Sequence, residues 1–253
     1  GAEADHILES LAVVAQVDLI SAKALYAEAL GARRPMMVLD HHLRIVKGRH
    51  PLLEQESIVP LDIELGQDFT TLLITGPNTG GKTVALKTVG LFALMAQAGL
   101  FLPAEEAIFP VFSGVYADIG DEQSIEQSLS TFSGHMKNMI SIIREATDRD
   151  LVLVDEVCVG TDPTEGAALA MAMIEHFYKA HVLTIMTTHY SELKTFAYEH
   201  EGMQNASVEF DPETLRPTYR LLMGVPGSSN AFYISRRLGL PEDILDEART
   251  FIN

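Results

Sequence analysis

Thr71-Leu-Leu-Ile-Thr75 runs directly into Gly76-Pro-Asn-Thr-Gly-Gly-Lys82-Thr83. The first five residues have the texture of a strand buried on both faces of a parallel sheet, and Gly81 to Gln97 beyond them has helical texture. Between strand and helix, Gly76, Pro77, Asn78, Thr79, Gly80, Gly81, Lys82 and Thr83 match the pattern G-x-x-x-x-G-K-[ST]. Backbone N–H groups and the positive end of the helix then converge on one cavity that favours phosphate. Lys82 is the expected cation for the β- and γ-phosphates of ATP, and the Thr83 hydroxyl the expected ligand for Mg2+. Strand, loop and helix in this order predict an α/β fold.

The order repeats downstream. Leu151 to Val154 precedes a helical pattern from Glu165 to Tyr178, and Val182 to Met186 precedes another from Tyr190 to Tyr198. Repetition of this kind predicts a largely parallel sheet with right-handed crossovers. Upstream, Leu8, Leu11, Ala15, Leu19, Ala22, Tyr26 and Leu30 form one stripe, about 35 Å long, on a helix over residues 5–34. Such a helix either connects to something else or lies on its own core, and Arg33-Arg34-Pro35 closes it. Leu43 to Lys47 and Ile58 to Leu65 read as short β pieces, a small antiparallel lead-in. Towards the C-terminus, Ser207 to Phe210 and Pro217 to Leu222 flank Asp211-Pro212-Glu213 as a hairpin, followed by helices from Ala231 and Pro241. Ile244, Leu245, Ala248, Phe251 and Ile252 leave an apolar stripe with nothing after it, which predicts that the natural protein continues.

Chemistry-bearing residues gather at the expected strand ends, where an open α/β sheet presents its binding crevice. Asp155 and Glu156 close the strand Leu151 to Val154; Asp155 suits a magnesium shell, and Glu156 can accept a proton from water attacking the γ-phosphate. His189 ends Thr187-Thr188-His189, where an imidazole either senses the γ-phosphate or serves the fold. Ser128-Leu-Ser-Thr-Phe-Ser133 enters a helix expected from about Gly134 to Thr147, so Ser130, Thr131 and Ser133 sit at a positive helix end; plain N-capping accounts for the same composition. Gly160-Thr161-Asp162-Pro163 is, by itself, a turn-and-cap sequence.

Composition narrows the class. The chain has 253 residues, 47% of them hydrophobic, with a mean hydropathy of +0.13, enough to bury a sizeable core. Eighteen Lys and Arg against 35 Asp and Glu leave a net charge of −17, and no Lys or Arg falls between Lys87 and Lys137. The summed field repels nucleic-acid phosphates. One cysteine, Cys158, excludes an internal disulfide, and no leader pattern or apolar run of membrane-spanning length is present. A soluble protein of the reducing cytoplasm, with no membrane partner, is the expectation.

The phosphate loop, Ser-Thr-Phe before a helix, Asp155-Glu156, Gly160-Thr161-Asp162-Pro163 and Thr187-Thr188-His189, in that order, resemble the ATPase domain of the MutS family, of the ATP-binding-cassette type. Gly76 to Lys87, Ala117-Asp-Ile-Gly-Asp-Glu-Gln-Ser-Ile125 and Gly160 to Ala170 are most similar to the second bacterial branch of that family, the Smr-bearing endonuclease branch. The resemblance implies a mixed central sheet, a lever-region connector over residues 1–35 and an ATPase domain over 36–253. It implies that Asn78 contacts the γ-phosphate or the attacking water. It implies too that Ser130, Thr131, Ser133 and Asp162 meet the nucleotide of a second subunit in a homodimer. DNA handling in repair and recombination, or ribosome quality control, would then use regions outside this chain. Three departures from the pattern stand out: Val157-Cys158-Val159 replaces Leu-Gly-Ala, Ile58 replaces an aromatic residue that stacks on adenine, and Leu129 replaces arginine.

Two other classes remain. A transporter ATPase subunit should carry Leu-Ser-Gly-Gly-Gln where this chain has Leu129-Ser-Thr-Phe-Ser133. A nucleotide-gated interaction module, with incidental turnover, differs from a motor in dimer lifetime against single-turnover rate. Because a protein of charge −17 gains little from counterion release, this chain alone should bind duplex DNA only weakly at physiological salt. Fluorescence anisotropy with a labelled duplex checks this, and sub-micromolar, salt-sensitive binding contradicts it.

Overall fold

A computed structural model describes residues 2–54, 56–76, 81–120, 128–211, 214, 216–227 and 231–251; the side chains of 2, 3, 128–131, 216 and 217 lie outside that description. The elements in chain order are α1 (Ala2–Leu30), β1 (Met36–Val38), β2 (Leu43–Gly48), β3 (Leu61–Leu65), β4 (Thr71–Thr75), α2 (Lys82–Gln97), β5 (Glu106–Pro110) and β6 (Gly114–Asp118). They continue with α3 (Ser128–Glu145), β7 (Asp150–Val154), α4 (Pro163–Lys179), β8 (Leu183–Thr188), α5 (Ser191–Glu199), β9 (Met203–Asp211), β10 (Arg216–Met223), α6 (Ala231–Arg237) and α7 (Glu242–Thr250). The chain divides into two compact units, Gly1–Glu64 with Thr88–Val111, and Leu65–Lys87 with Phe112–Asn253.

In the first unit the sheet order is β1-β5-β2-β3. β5 lies between β1 and β2, parallel to the first (Met36 opposite Ile108) and antiparallel to the second (Arg44 opposite Ile108). The expected antiparallel lead-in is therefore a mixed sheet. Its central strand comes from some 60 residues downstream, and nothing in the local pattern of β1 or β2 announces it. Gly48 is enclosed: an added Cβ would lie 2.5 Å from Ile45 Cγ2 and 3.1 Å from Phe92 Cε2. The end of α1 is tied down by Lys23, whose Nζ donates to the Ala98 carbonyl, and by Arg49, which donates to the Leu30 carbonyl. Before that, its predicted stripe is exposed, with Leu8, Leu11 and Leu19 all more than half accessible.

The second unit is built on the sheet β10-β9-β4-β8-β7-β6. β4, β6, β7, β8 and β9 run parallel, and β10 closes the edge antiparallel to β9. Every residue of β4, β7 and β8 is buried, the state of strands covered on both faces. On α4 the buried residues Gly166, Ala167, Ala170, Met173, Ile174 and Phe177 recur at helical spacing. All of these but Gly166 join Leu73, Val152, Val154 and Met186 in one apolar cluster. Asp162 starts this helix: its side chain accepts from the amides of Thr164 and Glu165, and Pro163 follows at the first helical position.

One boundary moves. α3 begins at Ser128 instead of about Gly134, so Ser130, Thr131 and Ser133 lie within its first turns and do not precede it. The glycine at 134 tempts a later start, but a helix interior tolerates one glycine at a cost of about 1 kcal/mol.

Leu73 is fully buried in the middle of β4. Leu73→Ala should cost about 3 kcal/mol, the transfer of the lost atoms plus the cavity left behind. Urea denaturation followed by circular dichroism measures it, with exposed Leu8→Ala as the control expected within about 0.5 kcal/mol of the parent. A loss at Leu73 no larger than the control would remove it from the core.

Candidate functional site

Register brings the strand ends together. Thr75 of β4 stands opposite Thr188 of β8, and Val154 of β7 opposite Met186, so Gly76, Asp155, Glu156 and His189 leave the sheet at one edge. Gly76 has φ +127°, and a Cβ there would lie 2.6 Å from Val208 Cγ2; only glycine meets both demands. The strand end is itself braced, because the Thr75 hydroxyl donates to the Ala206 carbonyl and accepts from the Gly227 amide. The Gly227 carbonyl in turn accepts from Lys194 Nζ at 2.6 Å.

Lys82 starts α2 with its side chain 1% exposed. Its ammonium donates to the Gly76 carbonyl at 2.7 Å and stands 3.5 Å from His189 Nε2 and 3.8 Å from Glu156 Oε1. A buried cation of this kind is tolerated only where carbonyl and carboxylate oxygens surround it. The same Glu156 oxygen lies 2.6 Å from His189 Nε2. Glu156, His189 and Lys82 are thus one cluster, contributed by three different chain segments.

Beside it, Thr83 Oγ1 donates to Asp155 Oδ2 at 2.5 Å, and Thr187 Oγ1 donates to Asp155 Oδ1 at 2.5 Å. Among the described residues no group of three or more His, Cys, Asp or Glu is placed to hold a metal. One hydroxyl and one carboxylate together fit magnesium, which takes hard oxygen ligands, retains water, and commonly relies on one carboxylate plus phosphate oxygens.

The turn after β7 is unusual. Glu156 and Cys158 both adopt left-handed backbone, with φ of +53° and +58°, which side-chain-bearing residues rarely do. Thr187 pins its start: the Glu156 amide donates to Thr187 Oγ1 at 2.7 Å, and the Val157 amide to the Thr187 carbonyl at 3.2 Å. Thr187 is the functional neighbour that sequence reasoning passed over. Its signal was its place two residues before His189, which puts it level with Asp155 once β7 and β8 pair. The left-handed φ at Cys158 also explains why the resembling pattern has glycine there.

The remaining predicted residues divide in two. Asp162 caps α4, Ser133 is exposed on α3, and Gly81, at φ +92°, has the Tyr219 ring 3.1 Å from where its Cβ would be. Pro77, Asn78, Thr79 and Gly80, and the side chains of Ser130 and Thr131, lie outside the described residues.

The fold and strand-end cluster define a mixed α/β domain with its polar side chains collected at the carboxyl ends of parallel strands. The MutS domain V family matches residues 72–253, and the chain belongs to that family. It is 57% identical over 251 residues to Endonuclease MutS2 of Geobacillus sp. (strain WCH70) and 58% identical over 252 residues to that of Shouchella clausii. With Endonuclease MutS2 of Symbiobacterium thermophilum it shares 61% over 251 residues. Each match covers 99% of this chain and 32% of the relative, so the chain spans about a third of the length of these curated relatives. No helix among the described residues is long and apolar enough to cross a membrane.

Burial, and to a lesser degree the charge of Asp118, push the Cys158 thiol up to about 11. The thiolate is the reactive form, so at pH 8 the native thiol should react with Ellman's reagent roughly a hundredfold more slowly than in the urea-unfolded chain. Equal rates in the two states would contradict this environment.

Proposed function

We propose that this chain binds ATP with Mg2+ and hydrolyses it, serving as the ATPase and dimerisation region of a MutS-type DNA-handling protein. The observation that carries the reading is the buried Lys82 ammonium, set within 4 Å of Glu156 Oε1 and beside the Thr83–Asp155 pair. Backbone amides of residues 76–83 and the N-terminus of α2 would cradle the phosphates, with Lys82 as the compensating cation. Thr83 and Asp155 would hold Mg2+, which when bound neutralises charge on the phosphate oxygens.

Glu156 is the proposed general base. It takes a proton from water as the water oxygen bonds to the γ-phosphorus and the bond to the β-phosphate oxygen breaks, giving ADP and inorganic phosphate. His189, at 2.6 Å, fixes the orientation of that carboxylate. Asn78 is proposed to position the water or the γ-phosphate. Family membership supports a homodimer in which Ser130, Thr131, Ser133 and Asp162 of one chain meet the nucleotide of the other. Residues 1–35 are proposed as a connector from a lever region and 36–253 as the ATPase domain. The relatives are named endonucleases; for this chain we propose a cytoplasmic role coupled to DNA, or to the ribosome, through regions beyond it.

Lys82→Ala should lose ATP binding, since the remaining groups of the loop are neutral dipoles. Glu156→Gln should keep binding but lose hydrolysis by about a hundredfold or more, because an amide accepts a hydrogen bond but not a proton. Titration with a fluorescent ATP analogue and steady-state phosphate release measure the two effects. Unchanged binding in the first variant, or near-normal turnover in the second, would overturn these assignments.

A further inference from the structure

Beyond Thr187, a second residue holds the turn that carries Glu156. Tyr190 follows His189 directly, and its amide donates to Thr188 Oγ1 at 3.0 Å, fixing the backbone in extended form just before α5. Its hydroxyl reaches back across the strand ends and donates to the Cys158 carbonyl at 2.8 Å. That carbonyl belongs to the second left-handed residue of the turn, two positions after Glu156. The parallel pairing of β7 and β8 is thus extended past the sheet edge by side chains. Thr187 grips the turn at Asp155, Glu156 and Val157, and Tyr190 grips it at Cys158.

An independent feature points the same way. Gly166 lies within α4, where a helix former would be expected, and its φ is not left-handed. A Cβ at this position would collide with the Tyr190 hydroxyl and lie 3.0 Å from the Cys158 carbonyl oxygen. The glycine therefore leaves space for this one hydrogen bond, at the cost of helix propensity. A phenol is a protonated donor at neutral pH, and burial, more than the neighbouring Cys158, Asp162 and Glu192, raises the Tyr190 pKa further from that range.

We propose that Tyr190 is a positioning residue for hydrolysis: its hydroxyl, seated in the space left by Gly166, holds the Cys158 carbonyl and so aims the Glu156 carboxylate. The inference rests on the assignment of Glu156 as base. Bound water must meet that carboxylate in one orientation, and a misplacement of about 1 Å can cost on the order of a hundredfold in rate. A left-handed turn without its outer anchor has every reason to relax, because its backbone conformation is unfavourable by itself.

Tyr190→Phe removes the hydroxyl and keeps the ring. In this variant kcat should fall about tenfold or more, while affinity for a fluorescent ATP analogue stays within about twofold, since binding in this reading belongs to the 76–83 loop. Amide hydrogen exchange should quicken over residues 156–160 and remain unchanged over 71–76. Gly166→Ala should lower kcat as well, because its Cβ would crowd both the Tyr190 hydroxyl and the Cys158 carbonyl oxygen. Glu156→Gln is run in parallel. If it abolishes turnover while Tyr190→Phe leaves kcat and exchange unchanged, the positioning role is overturned and the base assignment stands. If Glu156→Gln retains turnover, the base assignment falls and the positioning role with it.

Discussion

An ammonium group with 1% exposure cannot stand alone in a protein interior, and the second unit is organised around the oxygens that surround it. Lys82 needs a carbonyl, and Gly76 turns one towards it with a backbone that only glycine adopts. It needs a nearby negative charge, and Glu156 supplies it from a different strand. Those groups meet because β4, β8 and β7 are adjacent and parallel, with Thr75 level with Thr188 and Val154 with Met186. The fully buried strands and the apolar face of α4 hold that register, since a slip of one residue would exchange the faces of every side chain. The chemistry at the edge thus depends on hydrophobic packing several residues away.

The turn after β7 shows the other side of this arrangement. Two side-chain-bearing residues in left-handed conformation, Glu156 and Cys158, persist because neighbouring groups over-determine them. The Thr187 hydroxyl accepts a hydrogen bond from the Glu156 amide and donates one to Asp155, while the Tyr190 hydroxyl donates to the Cys158 carbonyl. Bulk at Val157 and Cys158 is accommodated by burial: Val157 is 2% exposed, and the Cys158 Sγ lies 4.0 Å from Met173 Sδ. This turn is built with side chains and tethers at the two positions where left-handed backbone would favour glycine.

Much of the second unit was legible in the sequence because its signals are local. Thr71 to Thr75 is continuously apolar or β-branched, and Gly76 and Lys82 stand at the spacing a phosphate loop requires. Asp155, Glu156 and His189 were marked by lying where apolar runs stop. The first unit was less legible. β5 is a five-residue strand without clean alternation, and its place between β1 and β2 depends on partners some 60 to 70 residues away; β6, in the second unit, is as short and as irregular. The start of α3 was misplaced because Gly134 weakens the local helical signal. Thr187 and Tyr190 were invisible as partners of the 155–158 turn, since the contact joins residues about 30 positions apart.

The sequence by itself determined β4, α2, β7, α4, β8 and α5 of the second unit, their order along the chain, and which residues could carry charge to a strand end. These follow from side-chain periodicity, glycine and proline punctuation, and the position of polar residues after apolar runs, all readable within a dozen residues. Tertiary structure alone decided which strand ends are neighbours, and therefore that Lys82, Glu156 and His189 share one cluster. It alone decided that Asp155 is held between the hydroxyls of Thr83 and Thr187, and that a helical glycine at 166 exists to admit a tyrosine hydroxyl. The physical reason is range: propensity and periodicity act between near neighbours along the chain, whereas burial of a charge is balanced by whatever the pairing of distant strands brings within about 4 Å.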